Sequence, residues 1–195
     1  MEKTFIIRPN RKPLPFKSRE IKAWDKETKT GNFIYSTDYG QINAVLKKLP
    51  EYGKKIVILE DSTHLLLKET MDTALETGYA KFAIAAKNFY DLMITASELP
   101  DDIRVYMFSH VDENINAEEV IKVTGGKMIS EKIDPPSLAT LALRAKKTND
   151  GYKFVTQSSG RDFYKSPEDM FEDEVIPNDL KLVDDAIKDY YGIED

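Results

Sequence analysis

The sequence predicts an α/β protein whose mostly parallel sheet lies between helices, with a β-hairpin and a C-terminal helix added. Three observations carry this. Residues 55–61 (KIVILED) and 103–109 (IRVYMFS) are continuous apolar runs of strand length, the mark of parallel strands buried on both faces. Between them Phe82, Ala85, Ala86, Phe89, Leu92, Met93 and Ala96 recur at helical spacing. Later, Thr148-Asn149-Asp150-Gly151 separates two strand-like runs with the chemistry of a tight turn.

The remaining elements follow from local punctuation. Residues 4–7 (TFII) form an apolar run that Pro9 ends, and so predict a strand. Residues 10–31 carry Pro13, Pro15 and many charges and predict a long loop. A short strand is expected over 32–36. Ser36-Thr37-Asp38 then offers N-cap oxygens to a helix with Ile42, Val45, Leu46 and Leu49 on one face, which Pro50 stops. His64 falls at the start of a helix after Asp61, where packing or capping is its expected role. The long helix is expected over 79–97, and the hairpin arms over 138–145 and 152–157. Pro177-Asn178 precedes a final helix with Leu180, Val183, Ile187 and Tyr190 on one face, closed by Gly192. Residues 1–165 are expected to form the main domain, and 166–195 an acidic C-terminal segment.

Composition narrows the chemistry. The 195 residues are 41% hydrophobic and include no cysteine and two histidines, which excludes disulfides, thiolate metal sites and a histidine-rich cage. No apolar run approaches the roughly 18–20 residues that span a bilayer, and the N-terminus lacks the pattern of a signal peptide. A soluble, cytoplasmic protein is expected. The net charge of −6 is unevenly spread: residues 1–30 carry nine Lys/Arg against four Asp/Glu, and residues 167–195 carry two Lys against eleven Asp/Glu. A basic start can touch nucleic acid and an acidic tail can meet a partner, whereas two solvated surfaces are the simpler reading.

The most informative chemistry lies at strand ends. Ile56-Val57-Ile58-Leu59-Glu60-Asp61 matches the Walker B pattern, in which a buried strand holds a carboxylate at the sheet edge near the Mg²⁺ shell. The alternative is an acid that merely caps the next helix. Ser109 and His110 follow a second buried strand, where a polar side chain can sense a phosphate or simply satisfy loop backbone. The basic segment around Arg8, Arg11, Lys12, Lys17 and Arg19 contains Phe16 and Trp24 as stacking surfaces for unpaired bases. Core packing is the alternative for both rings.

Several segments resemble phage-type RecA-like ATP-binding proteins of the AAA superfamily, associated with single-strand annealing recombination. They are TFIIRPNRKPLPFK, KIVILEDSTHLLLKE, VYMFSHVDE, GGKMISEKI and YKSPEDMFEDEVIPNDLKLVDDAIKDYYG, spread over nearly the whole chain. The resemblance implies a RecA-like P-loop NTPase core, ATP and Mg²⁺ as cofactors, and a role in phage DNA recombination or replication in the host cytoplasm. It makes Asp61 the Mg²⁺ ligand, Glu60 its acidic neighbour, Ser109 and His110 the sensor, and Lys165 a finger reaching a neighbouring subunit's nucleotide. It places DNA-facing loops over 111–134, with Lys122, Lys127 and Lys132 on phosphates; Arg11 and Lys12 of the basic segment are the further expected nucleic-acid contacts.

The P-loop pattern G-x-x-x-x-G-K-[ST] is missing. The two Gly-Lys pairs, Gly53-Lys54 and Gly126-Lys127, continue with Lys55 and Met128 and lack the upstream glycine. In the family that loop precedes the strand expected here at 4–7, so the chain is expected to begin just after it and to be inactive as an ATPase in isolation. A homo-oligomer or a separately encoded P-loop segment is the implied partner. The competing readings are a non-catalytic module that binds single-stranded DNA or a protein, and a metal-dependent nuclease built on Glu60 and Asp61.

Overall fold

The computed structural model describes residues 2–16, 18–123 and 133–194, which divide into two compact units. Residues 1–110 and 122–134 make the first, and 111–121 with 135–195 make the second.

The first unit is built on a four-stranded, all-parallel sheet of order β2-β1-β3-β4. Its strands are β1 (Thr4–Arg8), β2 (Phe33–Tyr35), β3 (Ile56–Leu59) and β4 (Arg104–Met107). The register aligns Ile34, Ile7, Leu59 and Met107 across the sheet, with Phe5, Val57 and Val105 in the next row on the same face. Because side chains alternate along a strand, these rows project to one side. There they share a core cluster with α1 (Tyr39–Lys48), α2 (Ser62–Asp72) and α3 (Ala80–Ser97). Ile42, Leu46, Leu65, Phe89 and Leu92 are the helical contributions, each at most 2% exposed. Full burial of one such side chain stabilises by about 1.5–3 kcal/mol.

The opposite face carries Phe33, Ile6, Ile58 and Tyr106 in one row, with Tyr35 and Arg8 beside each other in another. Here the structure departs from the expectation of a sheet between helices. Among the described residues the three helices share the core of one face. β1 is buried along its whole length, but Ile56 and Ile58 of β3 are only half-buried. The apolar run KIVILED therefore reflects parallel pairing between β1 and β4 more than burial on both sides.

Local signals explain the element ends. Asp38 caps α1 by accepting from the Gln41 amide at 2.7 Å. Pro50 does not stop the chain abruptly, because residues 49–52 continue as a 3₁₀ turn that Gly53 ends at φ 64°. Among its described residues the long segment 9–32 contains no helix or strand beyond isolated bridges at Ala23, Asp25 and Thr30. Its return is fixed by Asn32, whose side chain accepts from the Lys22 amide at 2.9 Å and donates to the Glu20 carbonyl at 3.0 Å.

The second unit holds two antiparallel sheets. β5 (Val111–Glu113) pairs with β6 (Glu119–Ile121), and β7 (Arg144–Thr148) pairs with β8 (Gly151–Val155), which also pairs with β9 (Val175–Pro177). The hairpin expected at Asn149-Asp150 is present, with Gly151 taking the positive φ. The first half of the expected DNA-facing loop is instead the β5–β6 hairpin. Asn114 closes its turn, accepting from the Asn116 and Glu118 amides at 2.9 and 3.1 Å. The last helix, α4 (Leu180–Tyr191), is capped by Asp179 and ended by Gly192 at φ 64°. Phe154, Tyr164, Met170, Ile176, Val183 and Ile187 are among the buried apolar side chains of this unit, with Pro135 and Pro136. Among the described residues no helix is long and apolar enough to cross a membrane.

Candidate functional site

Parallel pairing of β3 with β4 brings two loops together at the carboxyl end of the sheet, where open α/β sheets bind ligands. The junction is tightly tied. The Ser62 amide donates to the Phe108 carbonyl at 2.8 Å, the Ser62 and Ser109 hydroxyls meet at 2.5 Å, and the His110 amide donates to Thr63 Oγ1 at 2.9 Å. Asp61, Ser109 and His110 thus lie at one edge, as their position after two apolar runs suggests.

Asp61 divides its carboxylate between two tasks. Oδ1 accepts from the His64 amide at 3.0 Å and caps α2, while Oδ2 lies 3.7 Å from Nε2 of His110. The His64 backbone takes part in the cap, in line with a local role for that residue. The Asp61 side chain is 21% exposed and that of His110 67%, so the imidazole is open to solvent and the carboxylate only partly.

Glu60 is committed elsewhere. Arg8 Nε donates to Glu60 Oε2 at 2.6 Å and Nη2 to Oε1 at 3.4 Å. The same guanidinium donates to the Tyr35 hydroxyl at 3.0 Å and to the Lys12 carbonyl at 2.7 Å. Arg8 is only 3% exposed, and a buried cation needs such partners. Glu60 therefore serves as the counter-ion of Arg8 at the boundary between β1 and β3, where the strand order reverses direction. Sequence reading missed Arg8, Tyr35, Ser62 and Thr63 as parts of this edge. The usable signal was an arginine closing the apolar run 4–7, since a charge there requires a partner.

Whether the edge suits Mg²⁺ depends on its donors. Asp61 offers one carboxylate oxygen, Oδ2, that faces His110 alone, the Ser62 and Ser109 hydroxyls bond each other, and no group of three His, Cys, Asp or Glu side chains is assembled among the described residues. Mg²⁺ demands six oxygens but keeps several waters. The residues present fit a single carboxylate contact to an ion already carried by phosphates, and do not fit a free-standing Mg²⁺ site. A metal-dependent nuclease centre has the same shortage of ligands here.

The other expected site residues are scattered. Lys165 belongs to the second unit, where its amide and carbonyl both pair with Ala142 at 2.9 Å. The Lys122 amide donates to the His110 carbonyl at 2.8 Å, which ties that lysine's backbone to the sheet edge. Lys127 and Lys132 lie outside the described residues, as does Lys17. Arg11 stacks its guanidinium over Tyr35 at 5.1 Å, and Lys12 is exposed. Trp24 packs edge-on against Phe5 at 5.5 Å and beside Tyr52 at 5.0 Å, so it belongs to the core's margin. Phe16 is 59% exposed.

No protein-family model, curated protein or solved structure matches this chain.

Proposed function

We propose that this chain supplies the Walker B and sensor part of a RecA-like ATP-binding protein that acts in phage DNA recombination by single-strand annealing. The observation that carries the reading is the joined carboxyl end of β3 and β4, with Asp61 Oδ2 at 3.7 Å from His110 and the Ser62–Ser109 hydroxyl pair beside it. The recombination role rests on the segments that resemble the family, above all YKSPEDMFEDEVIPNDLKLVDDAIKDYYG. Bound Mg²⁺ would neutralise phosphate charge as it develops during transfer. Asp61 would orient the ion's water shell through Oδ2, and its Oδ1 contact to α2 would keep the carboxylate still. His110 and Ser109 would report the state of the terminal phosphate to the backbone that follows them.

The amide cradle for the β- and γ-phosphates is not encoded in these 195 residues, so this reading places it on another segment. Among the described strands β4 pairs only with β3. A further parallel strand along β4 would end beside Ser109 and His110, where its following loop would meet Asp61. The test is ATP hydrolysis by the chain mixed with a polypeptide carrying a G-x-x-x-x-G-K-[ST] strand–loop–helix. Mg²⁺-dependent turnover that Asp61→Asn abolishes is expected. No turnover in the mixture, or turnover indifferent to Asp61→Asn, would overturn the reading.

A further inference from the structure

The segment 9–32 folds back along β2 and leaves a cleft of about 520 Å³ on the sheet face opposite the helices. Its floor is closed to stacking. The Arg8 guanidinium lies over the Phe33 and Tyr35 rings at 5.9 and 5.1 Å, and Arg11 lies over Tyr35 at 5.1 Å. The two rings also stand at 82° to each other, so neither offers a flat face. The walls differ from the floor: Pro13, Leu14 and Ile21 line them together with the exposed ring of Phe16.

This wall is built rather than loose. Asn32 is 5% exposed and anchors both Glu20 and Lys22. Gly31 takes φ +95°, and a Cβ on it would sit 2.2 Å from the Ala23 carbonyl oxygen, so only glycine lets the segment lie this close. Residues 8–22 carry six Lys/Arg against one Glu in a chain whose net charge is −6. Glu60 neutralises Arg8. Arg19 shares the lining of the cleft, and among the described residues no acid pairs with it or with Arg11. Each guanidinium is a planar fork of donors that matches a carboxylate.

An aliphatic wall takes a side chain by area buried and needs no flat face. We propose that this cleft docks an extended acidic segment of a partner protein, with one large apolar side chain against Leu14, Phe16 and Ile21 and the flanking carboxylates on Arg11 and Arg19. Clustered arginines beside an apolar pocket are a recurrent way to hold acidic peptides. The rest of the chain carries the excess of acid and repels such a segment, which confines docking to this basic strip. The proposal does not depend on the nucleotide reading of the β3–β4 edge.

The experiment is fluorescence anisotropy of a labelled peptide of Asp and Glu with one central Phe, titrated with the whole chain at low salt without ATP or Mg²⁺. Three control peptides replace the acids by Asn and Gln, the acids by Lys, or the Phe by Ser. The acidic Phe peptide should bind about tenfold more tightly than the amide and Ser peptides. Arg19→Glu should weaken it about tenfold and shift the preference towards the Lys peptide. Phe16→Ser should weaken it while leaving the preference for acid over amide intact. Both positions are exposed, and unchanged melting curves would show that the fold is retained. Absence of binding at low salt, equal binding of the amide peptide, or a charge preference that Arg19→Glu leaves unchanged would overturn the proposal. So would a labelled oligo-dT that displaces the peptide and loses affinity in Phe16→Ser, which would assign the cleft to nucleic acid. Because the assay contains no ATP, its failure leaves the Asp61 turnover test intact, and the reverse also holds.

Discussion

Asp61 shows how one residue can satisfy two explanations. Its cap on α2 would exist in a protein with no nucleotide chemistry, while its second oxygen faces His110. Asparagine caps helices as well as aspartate does, so Asp61→Asn should change folding stability by less than about 0.5 kcal/mol, whereas Asp61→Ala should cost about 1 kcal/mol. Urea unfolding of the two variants checks this and licenses Asp61→Asn as a charge-only probe. Glu69 offers a second test. Burial pushes its carboxyl above the ordinary range, against the opposing Asn88 hydrogen bond at 2.7 Å, and Asp72 adds to the rise. A raised folded-state value means that the fold favours the protonated form. The stability tied to that proton is complete below the ordinary glutamate value and is lost as pH rises through the folded value. Glu69→Gln keeps an acceptor for Asn88 and removes the charge. It should match the parent near about pH 4 and exceed it in urea midpoint near about pH 7, and equal midpoints at both would refute the sign.

At the scale of elements, capping residues were the most legible feature. Asp38, one of the oxygens expected to cap α1, accepts from its backbone at 2.7 Å, and Asp179, which the sequence reading passed over for Pro177-Asn178, does the same for α4 at 2.8 Å. Replacing either by alanine should cost about 1 kcal/mol in chemical denaturation, because one N–H of the first helical turn loses its side-chain partner. Gly192 and Gly151 sit where a positive φ is required, and the periodicity of α3 needed no tertiary information. What the sequence did not reveal depends on long-range pairing. The β5–β6 hairpin has strands of only three residues each and reads as loop, and β9 contains a proline that local rules count against a strand. The one-sided placement of the helices among the described residues was hidden for a related reason. An apolar parallel strand looks the same whether its second face meets a helix or stays half-open, and only the register of Ile58 against Ile6 and Tyr106 separates the two. At the candidate site, the position of Asp61 and His110 at neighbouring strand ends was legible, but the pairing of Glu60 with Arg8 was not, since 52 residues separate them. Trp24 and Phe16 looked equivalent in sequence. Only the return of the 9–32 segment along β2 puts one in the core's margin and leaves the other in a cleft.

For the molecule as a whole, the proposed function divides labour between segments. The carboxyl edge of the parallel sheet has an acid, two hydroxyls and an imidazole, yet phosphoryl transfer is mostly a matter of positioning and neutralising phosphates, for which these residues give no amide cradle. The basic excursion and its aromatic cleft lie on the same unit as that edge and share Arg8 with it. The acidic C-terminal segment belongs to the other unit, so the uneven charge seen along the sequence is also an uneven charge between units. The most direct measurement of the central claim is calorimetric titration of the purified chain with Mg²⁺·ATP. A Kd no tighter than about 1 mM, equivalent to about −4 kcal/mol, and no release of phosphate over hours are expected. Micromolar affinity that survives Asp61→Asn, or steady turnover by the chain alone, would contradict it by revealing a phosphate cradle elsewhere in these residues.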